Sequence, residues 1–125
     1  MMKKLSLLAL LLLTAVLSKA QLKNTKWQGK MNVPDETNVV LNFKADTVDM
    51  IIADYGVVGE TMTYAITDSV ITMKKTGGHS PCNVGDAFKV KYAIKGNQLF
   101  IYNLSDPCDE RSQSWTKEAF VRVKE

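Results

Sequence analysis

Two cysteines, one histidine and scattered carboxylates are the residues of this chain whose types could support chemistry. Cys82 and Cys108 could form a disulfide, or they could supply two thiolates to a metal site together with His79. A metal site needs a third or fourth ligand at a suitable spacing, and none follows from the sequence. An even cysteine count favours the disulfide where the chain folds in an oxidising compartment.

A catalytic triad could be composed from His79 with Ser80 or Ser105 and an acid, but any chain with one histidine permits this. A loop histidine beside two glycines is more often exposed and inert. Four acids are expected near one end of the fold, where a weak calcium site is conceivable but solvated carboxylates are more common: Asp54, Glu60, Asp86 and Asp106. Glycine-rich phosphate loops and paired metal-binding histidines are missing from the sequence. We therefore expect no enzyme activity, no cofactor and no metal.

The first twenty residues have the features of a secretory signal peptide. Two lysines precede an apolar run from Leu5 to Leu17, and Ser18 and Ala20 place small residues just before a cut at Gln21. We predict that residues 1–20 are a signal peptide and that residues 21–125 form one secreted or periplasmic domain.

Removal of the signal peptide changes the charge balance. The whole chain has 16 basic and 13 acidic residues, but three lysines lie in residues 1–20, so the remainder has 13 of each and a formal net charge of 0. A neutral chain gives no indication of nucleic-acid binding. No second apolar run approaches the ~20 residues of a membrane helix, so we predict no span in the mature chain. We expect a monomer.

The mature chain alternates between apolar and polar residues in eight segments. The clearest is 88–95, in which Phe88, Val90, Tyr92 and Ile94 share one face and three lysines lie on the other. Such alternation is typical of antiparallel strands with one solvated face. In the last segment, 118–124, either Phe120 or the valines beside it could face inward.

One segment departs from this alternation. Asp106 is a candidate N-cap followed by Pro107 at the first helical position, and acids lie in the first turn. This pattern predicts a short helix that begins at Pro107, between strands seven and eight. Tight turns join strands two to three, four to five and six to seven, whereas the other connections are longer. In an up-and-down meander, alternate connections lie at the same end. The sequence therefore predicts an all-β, eight-stranded antiparallel barrel with one closed end and one open end, and both cysteines at the open end.

The inward positions of this barrel define candidate ligand contacts. All four methionines of the mature chain fall there, and methionine suits surfaces that accommodate varied apolar ligands. A barrel of this size is either filled by its side chains or hollow enough for one small ligand. The predicted interior set is Trp27, Met31, Phe43, Met50, Met62, Tyr64, Met73, Phe88 and Tyr92.

The early Trp27, the eight alternating strands and the signal peptide together resemble the lipocalin-like members of the calycin superfamily. The segment 106–111, followed by Trp115 and partnered by Ser80-Pro81-Cys82, is similar to the small secreted lipocalin-like domains of that superfamily. In that superfamily a basic side chain commonly packs over the first-strand tryptophan at the closed end, and Arg111 and Arg122 are the candidates here. We favour a structural stack of Arg122 on Trp27, because Arg122 lies near the end of strand eight, next to strand one if the barrel closes, whereas Arg111 lies at the open end. The C-terminal half, from Cys82-Asn83 through Gly85 to the second cysteine, is also similar to the META domain of small heat-shock-type secreted proteins.

Two functions remain open at this point. The resemblance and the interior composition favour a lipocalin-like protein that binds a small apolar or amphipathic ligand inside the barrel. The alternative is an interaction or inhibitor module that binds a protein partner through the open-end loops, above all loop 76–86 braced by the disulfide, because a preorganised loop loses less entropy on binding.

Overall fold

Each of the eight alternating segments forms a β-strand in the computed structural model, which describes residues 21–124. The predicted signal peptide lies outside these residues. The strands are β1 (Thr25–Asn32), β2 (Glu36–Phe43), β3 (Thr47–Ile52), β4 (Val57–Thr67), β5 (Val70–Gly77), β6 (Ala87–Lys95), β7 (Gln98–Ser105) and β8 (Phe120–Val123).

The strands close into a single barrel in chain order, and every neighbouring pair is antiparallel. Closure comes from β8, which pairs back to β1 with Trp27 opposite Arg122. The β8 strand pairs with β7 at only two positions. The segment that precedes β8 also pairs with β1. Trp115 forms an isolated β-bridge with Met31, and the Asn32 amide donates to the Ser114 carbonyl at 2.9 Å, so this segment continues the barrel wall. The predicted all-β, up-and-down barrel is confirmed.

The connections differ in length at the two ends of the barrel. The β2–β3, β4–β5 and β6–β7 turns are short and lie at what we call the closed end, where Asp68 and Gly96 have the positive φ values of 55° and 61° that such turns use. The longer β1–β2, β3–β4, β5–β6 and β7–β8 connections lie at the opposite, open end. At the closed end, the Trp27 indole donates to the Thr25 hydroxyl at 2.8 Å.

The barrel interior is filled by side chains. Inward positions of all eight strands contribute to one apolar cluster with exposed fractions of 0–6%. Phe120 is 2% exposed and Val121 is 46% exposed, which settles the orientation of the last strand. Gly29 makes room for this phenyl ring, because a Cβ atom there would lie 2.5 Å from Phe120 Cδ1. Burial of this apolar surface is the main force that holds the barrel together.

The short helix lies between β7 and β8 as predicted, but the predicted first residue of the helix was wrong. Helix α1 spans Asp109–Ser112, and its N-cap is Cys108. Asp106 does not cap it, because its carboxylate accepts the Cys108 amide at 2.9 Å and binds Arg111. Pro107 accordingly precedes the helix. Among residues 21–124, no helix has the length and apolar character that crossing a membrane requires.

Candidate functional site

A pocket of about 500 Å³ opens at the open end of the barrel. Its volume lies within the ~300–1,000 Å³ of typical ligand sites. Three of the four open-end connections, those of β1–β2, β5–β6 and β7–β8, contribute to its wall together with residues of β1, β3 and β4, so the pocket is a product of the long-loop end. The lining consists of Asn32, Val33, Pro34, Met50, Glu60, Ser80, Pro81, Cys82, Glu110, Arg111, Gln113 and Ser114.

The β5–β6 loop is held against the start of β4. Gly78, with φ of 108°, approaches so closely that a Cβ atom there would lie 2.5 Å from the Gly59 carbonyl oxygen. The Ser80 amide donates to that same carbonyl at 2.9 Å. This contact places Ser80 beside Glu60, which begins the inward-facing part of β4.

The predicted disulfide is confirmed. Cys82 and Cys108 are joined by an S–S bond, with their Cα atoms 5.6 Å apart. The bond ties the β5–β6 loop to the connection that contains α1. Glu110 lies near both sulfur atoms, but a disulfide offers no thiolate for a metal. A disulfide is compatible with an extracellular or periplasmic location.

Arg111 is the central side chain of the pocket wall, although it carries a full charge and is only 3% exposed. Its Nε and Nη2 atoms donate to the two carboxylate oxygens of Asp106 at 2.7 Å each, and its Nη1 donates to Glu60 Oε1 at 3.1 Å. The guanidinium also stacks on Phe88, with 3.7 Å between its carbon and the ring centroid. Burial opposes the charge, but the hydrogen bonds and charges of the two carboxylates outweigh this and raise the pKa of Arg111.

Glu60 and Lys75 extend this polar cluster into the barrel. Glu60 is 1% exposed, and its Oε1 accepts hydrogen bonds from both Arg111 and the Ser80 hydroxyl, the latter at 2.5 Å. Lys75 is 3% exposed, and its ammonium donates to the Ser80 and Cys82 carbonyls at 2.9 and 2.6 Å and to the Ser80 hydroxyl at 3.0 Å. Together with Asp106 and Arg111, Glu60 and Lys75 therefore form one desolvated cluster of two anions and two cations.

One carboxylate oxygen of this cluster lacks a hydrogen-bond donor among residues 21–124. Glu60 Oε2 is buried and has no hydrogen-bond partner within the described part of the chain. Buried polar atoms are nearly always paired, and leaving one unpaired costs about 1–3 kcal/mol. Glu60 belongs to the pocket lining, so the unpaired oxygen lies on a residue of the candidate site.

Among the nine predicted ligand contacts, Met50 lines the pocket. The other eight lie in the packed interior cluster, which they form with further apolar side chains. Tyr64 also has a fixed partner, because its hydroxyl donates to the Lys44 carbonyl at 2.6 Å. Burial, followed by the charge of Asp46, raises the pKa of Tyr64 above its usual value. The pocket therefore lies at the mouth of the barrel, whereas most of the predicted ligand contacts lie in its packed interior.

The remaining predicted residues occupy several places. Arg122 is the register partner of Trp27, but its side chain is exposed. Within residues 21–124, the cation–π contacts are those of Arg111 on Phe88 and Lys95 on Phe100. The register therefore supports the proximity of Arg122 and Trp27, whereas their stack stays a prediction.

The predicted loop acids separate into two groups. Asp54 is exposed and Asp86 is half-buried, as solvated loop acids would be. Glu60 and Asp106 instead converge on Arg111. His79 is exposed in the β5–β6 loop.

Sequence reasoning missed the inward charges of this cluster. Lys75 continues the inward phase of Ile71 and Met73, and Glu60 continues that of Met62 and Tyr64. A charged residue in phase with an apolar face was the available signal, and opposite charges on adjacent strands would have strengthened it. Arg111 carried no such signal, because its burial depends on the fold of the β7–β8 connection.

No family model, curated protein or solved structure matches this chain. The closed eight-stranded antiparallel barrel is consistent with a lipocalin-like fold. Membership of the calycin superfamily and the resemblance to the META domain stay predictions.

Proposed function

We propose that this protein is a secreted or periplasmic binding protein that holds a small apolar or amphipathic ligand in the open-end pocket. The observation that carries the proposal is the pocket itself, about 500 Å³ in volume, whose lining combines apolar side chains with polar groups, among them the buried Glu60, Arg111 and Ser114. Ligand sites of proteins commonly combine these two kinds of lining.

Covalent, steric and ionic contacts hold the walls of the pocket together. The disulfide, the Gly78 contact and the Arg111 ion pairs each fix one wall before any ligand arrives. A preformed wall reduces the entropy lost on binding, which favours affinity for a small molecule. The filled barrel interior serves in this proposal as the support of the pocket.

Uptake of phenylnaphthylamine, an uncharged and largely apolar dye whose emission rises in apolar sites, tests this proposal. We expect saturable binding by the folded protein and a loss of at least about tenfold in affinity when Gln113→Trp narrows the pocket mouth. Val84→Trp is the matched control, since Val84 is 65% exposed on a neighbouring loop and is not part of the lining. No uptake, or equal uptake by the two variants, would contradict the proposal.

Exposed apolar side chains at the open end favour a second candidate function, an interaction or inhibitor module. Tyr55 is 81% exposed, Val84 65% and Leu104 50%, and all three lie on or beside open-end loops. Exposed apolar groups of this kind are typical of protein-binding surfaces when they are close together.

The second candidate predicts a partner in the compartment where the protein works. Tyr55→Ser combined with Val84→Ser should abolish recovery of that partner by affinity capture, with little change in melting temperature. Val121→Ser is the control, because Val121 is 46% exposed but lies in β8, near the closed end. Equal recovery by both variants would count against this surface.

A further inference from the structure

The unpaired oxygen of Glu60 indicates what kind of group the pocket receives. Its partner oxygen already accepts two hydrogen bonds, from Ser80 and Arg111. Glu60 Oε2 is buried without a donor, and an ionised carboxylate can only accept hydrogen bonds. A ligand that completes this site must therefore supply an N–H or O–H donor.

The charges around the pocket favour a cationic donor. The lining contains the carboxylates of Glu60 and Glu110 and the guanidinium of Arg111. Asp106 already binds that guanidinium through two hydrogen bonds of 2.7 Å. The Lys75 ammonium is directed to the carbonyls of Ser80 and Cys82. These groups together carry three negative charges against two positive ones, so a bound cation would balance the site.

One part of the wall suits an apolar body. Val33, Pro34, Met50 and Pro81 line the pocket without offering charged groups. Methionine adapts to ligands of varied shape, and burial of alkyl surface contributes roughly 25 cal/mol per Å². The pocket therefore combines an apolar surface with two carboxylates, of which that of Glu60 is buried and that of Glu110 is exposed.

We propose that the pocket binds amphipathic organic amines, with the ammonium group donating to Glu60 Oε2 and the hydrocarbon body lying against Val33, Pro34, Met50 and Pro81. The inference rests on the proposed function, because it assigns the ligand class of that same pocket. Charge-assisted hydrogen bonds of this kind are roughly twice as strong as neutral ones.

Displacement of phenylnaphthylamine by three ligands of equal chain length tests the inference: decylammonium, decanol and decanoate. We expect decylammonium to displace the dye most strongly and decanoate least, with decanol between them. Glu60→Gln keeps the shape of the side chain but removes its charge, and it should weaken decylammonium about tenfold to a hundredfold while decanol changes by less than about threefold.

Retained decanol affinity also shows that the Glu60→Gln pocket is folded. Glu110→Gln is a second variant at an exposed position of the mouth, where loss of charge should weaken decylammonium by about twofold to threefold without affecting the fold. Glu118→Gln is the matched control, because this exposed carboxylate lies outside the lining and its loss should change nothing.

The outcomes separate this inference from the proposed function. Dye uptake with equal displacement by decanoate and decylammonium would overturn the amine preference and leave the binding function intact. An equal loss for all three ligands in Glu60→Gln would likewise overturn the role of the carboxylate. A wild-type protein that takes up neither the dye nor any of the three ligands would overturn both.

Discussion

Replacement of Arg111 by methionine should destabilise this protein strongly. The substitution keeps an unbranched apolar stem but removes the guanidinium, leaving Asp106 and Glu60 desolvated without their shared cation. Removal of one partner from a buried ion pair costs about 3–5 kcal/mol. The lost stack on Phe88 is part of the same interaction and is not added separately.

This loss is a large fraction of the total stability of a domain of this size, which is about 5–15 kcal/mol. Since 1 kcal/mol corresponds to about 4–8 °C in melting temperature for a small domain, we expect Arg111→Met to lower the melting temperature by about 12–40 °C. Urea denaturation followed by circular dichroism, under oxidising conditions, measures the free energy directly, and an unchanged slope would show that the barrel itself is retained.

Arg122→Met is the matched control, because it makes the same substitution at an exposed arginine of the same chain. We expect it to change the free energy of unfolding by less than about 0.5 kcal/mol. A double-mutant cycle of Arg111→Met with Asp106→Asn should show a loss smaller than the sum of the two single losses. The reasoning is refuted if Arg111→Met costs no more than Arg122→Met, or if the cycle is additive.

Three further predictions concern other parts of the barrel. Loss of the disulfide in Cys82→Ser/Cys108→Ser, with a sequence separation of 26 residues, should lower the unfolding free energy by about 3.5 kcal/mol in urea titrations, and an unchanged value would show that the bond does not restrict the unfolded chain. Because burial raises the pKa of Tyr64 above the value of about 10 that a tyrosine has in an unfolded chain, the folded protein holds this proton more tightly than the unfolded chain does, so stability should be fully present below pH ~10 and decline as the pH rises further. Tyr64→Phe should reduce that decline in melting temperatures measured against pH, and an identical decline would exclude this phenol as its source. Gly29→Ala should cost about 1–3 kcal/mol because its Cβ atom would overlap a buried ring, whereas Gly77→Ala, where no atom lies within 4 Å of the added carbon, should be nearly neutral in the same thermal melts.

The strands and the closed topology followed from the sequence because alternation and loop length are local signals. The pairs Phe88 with Val90 and Leu99 with Ile101 keep their inward phase in the folded barrel. The position of the disulfide followed too, since the meander places both cysteines at one end. These predictions needed only the side-chain period of two and the order of the strands.

The polar cluster could not be predicted in the same way. Lys75 and Glu60 are inward-facing charges, which contradict the binary pattern of a barrel core unless their partners are known. Arg111 becomes such a partner only after the β7–β8 connection has folded over the mouth. Asp106 is the clearest case: its local sequence indicates a helix cap, but its carboxylate binds a guanidinium five residues away. Tertiary interactions overrode the local preference there.

The pairing of β8 with β1 has a consequence for how the chain folds. It joins Trp27 to Arg122 across 95 positions of the sequence, so the first strand has no second neighbour until nearly the whole domain is in place. Contacts this distant demand a large loss of chain entropy before they contribute stability. Proteins dominated by such contacts fold in about milliseconds to seconds rather than microseconds. We therefore expect slow barrel closure. The β1–β2 hairpin should form early, and the outer edge of β1 should stay unpaired until β8 joins it.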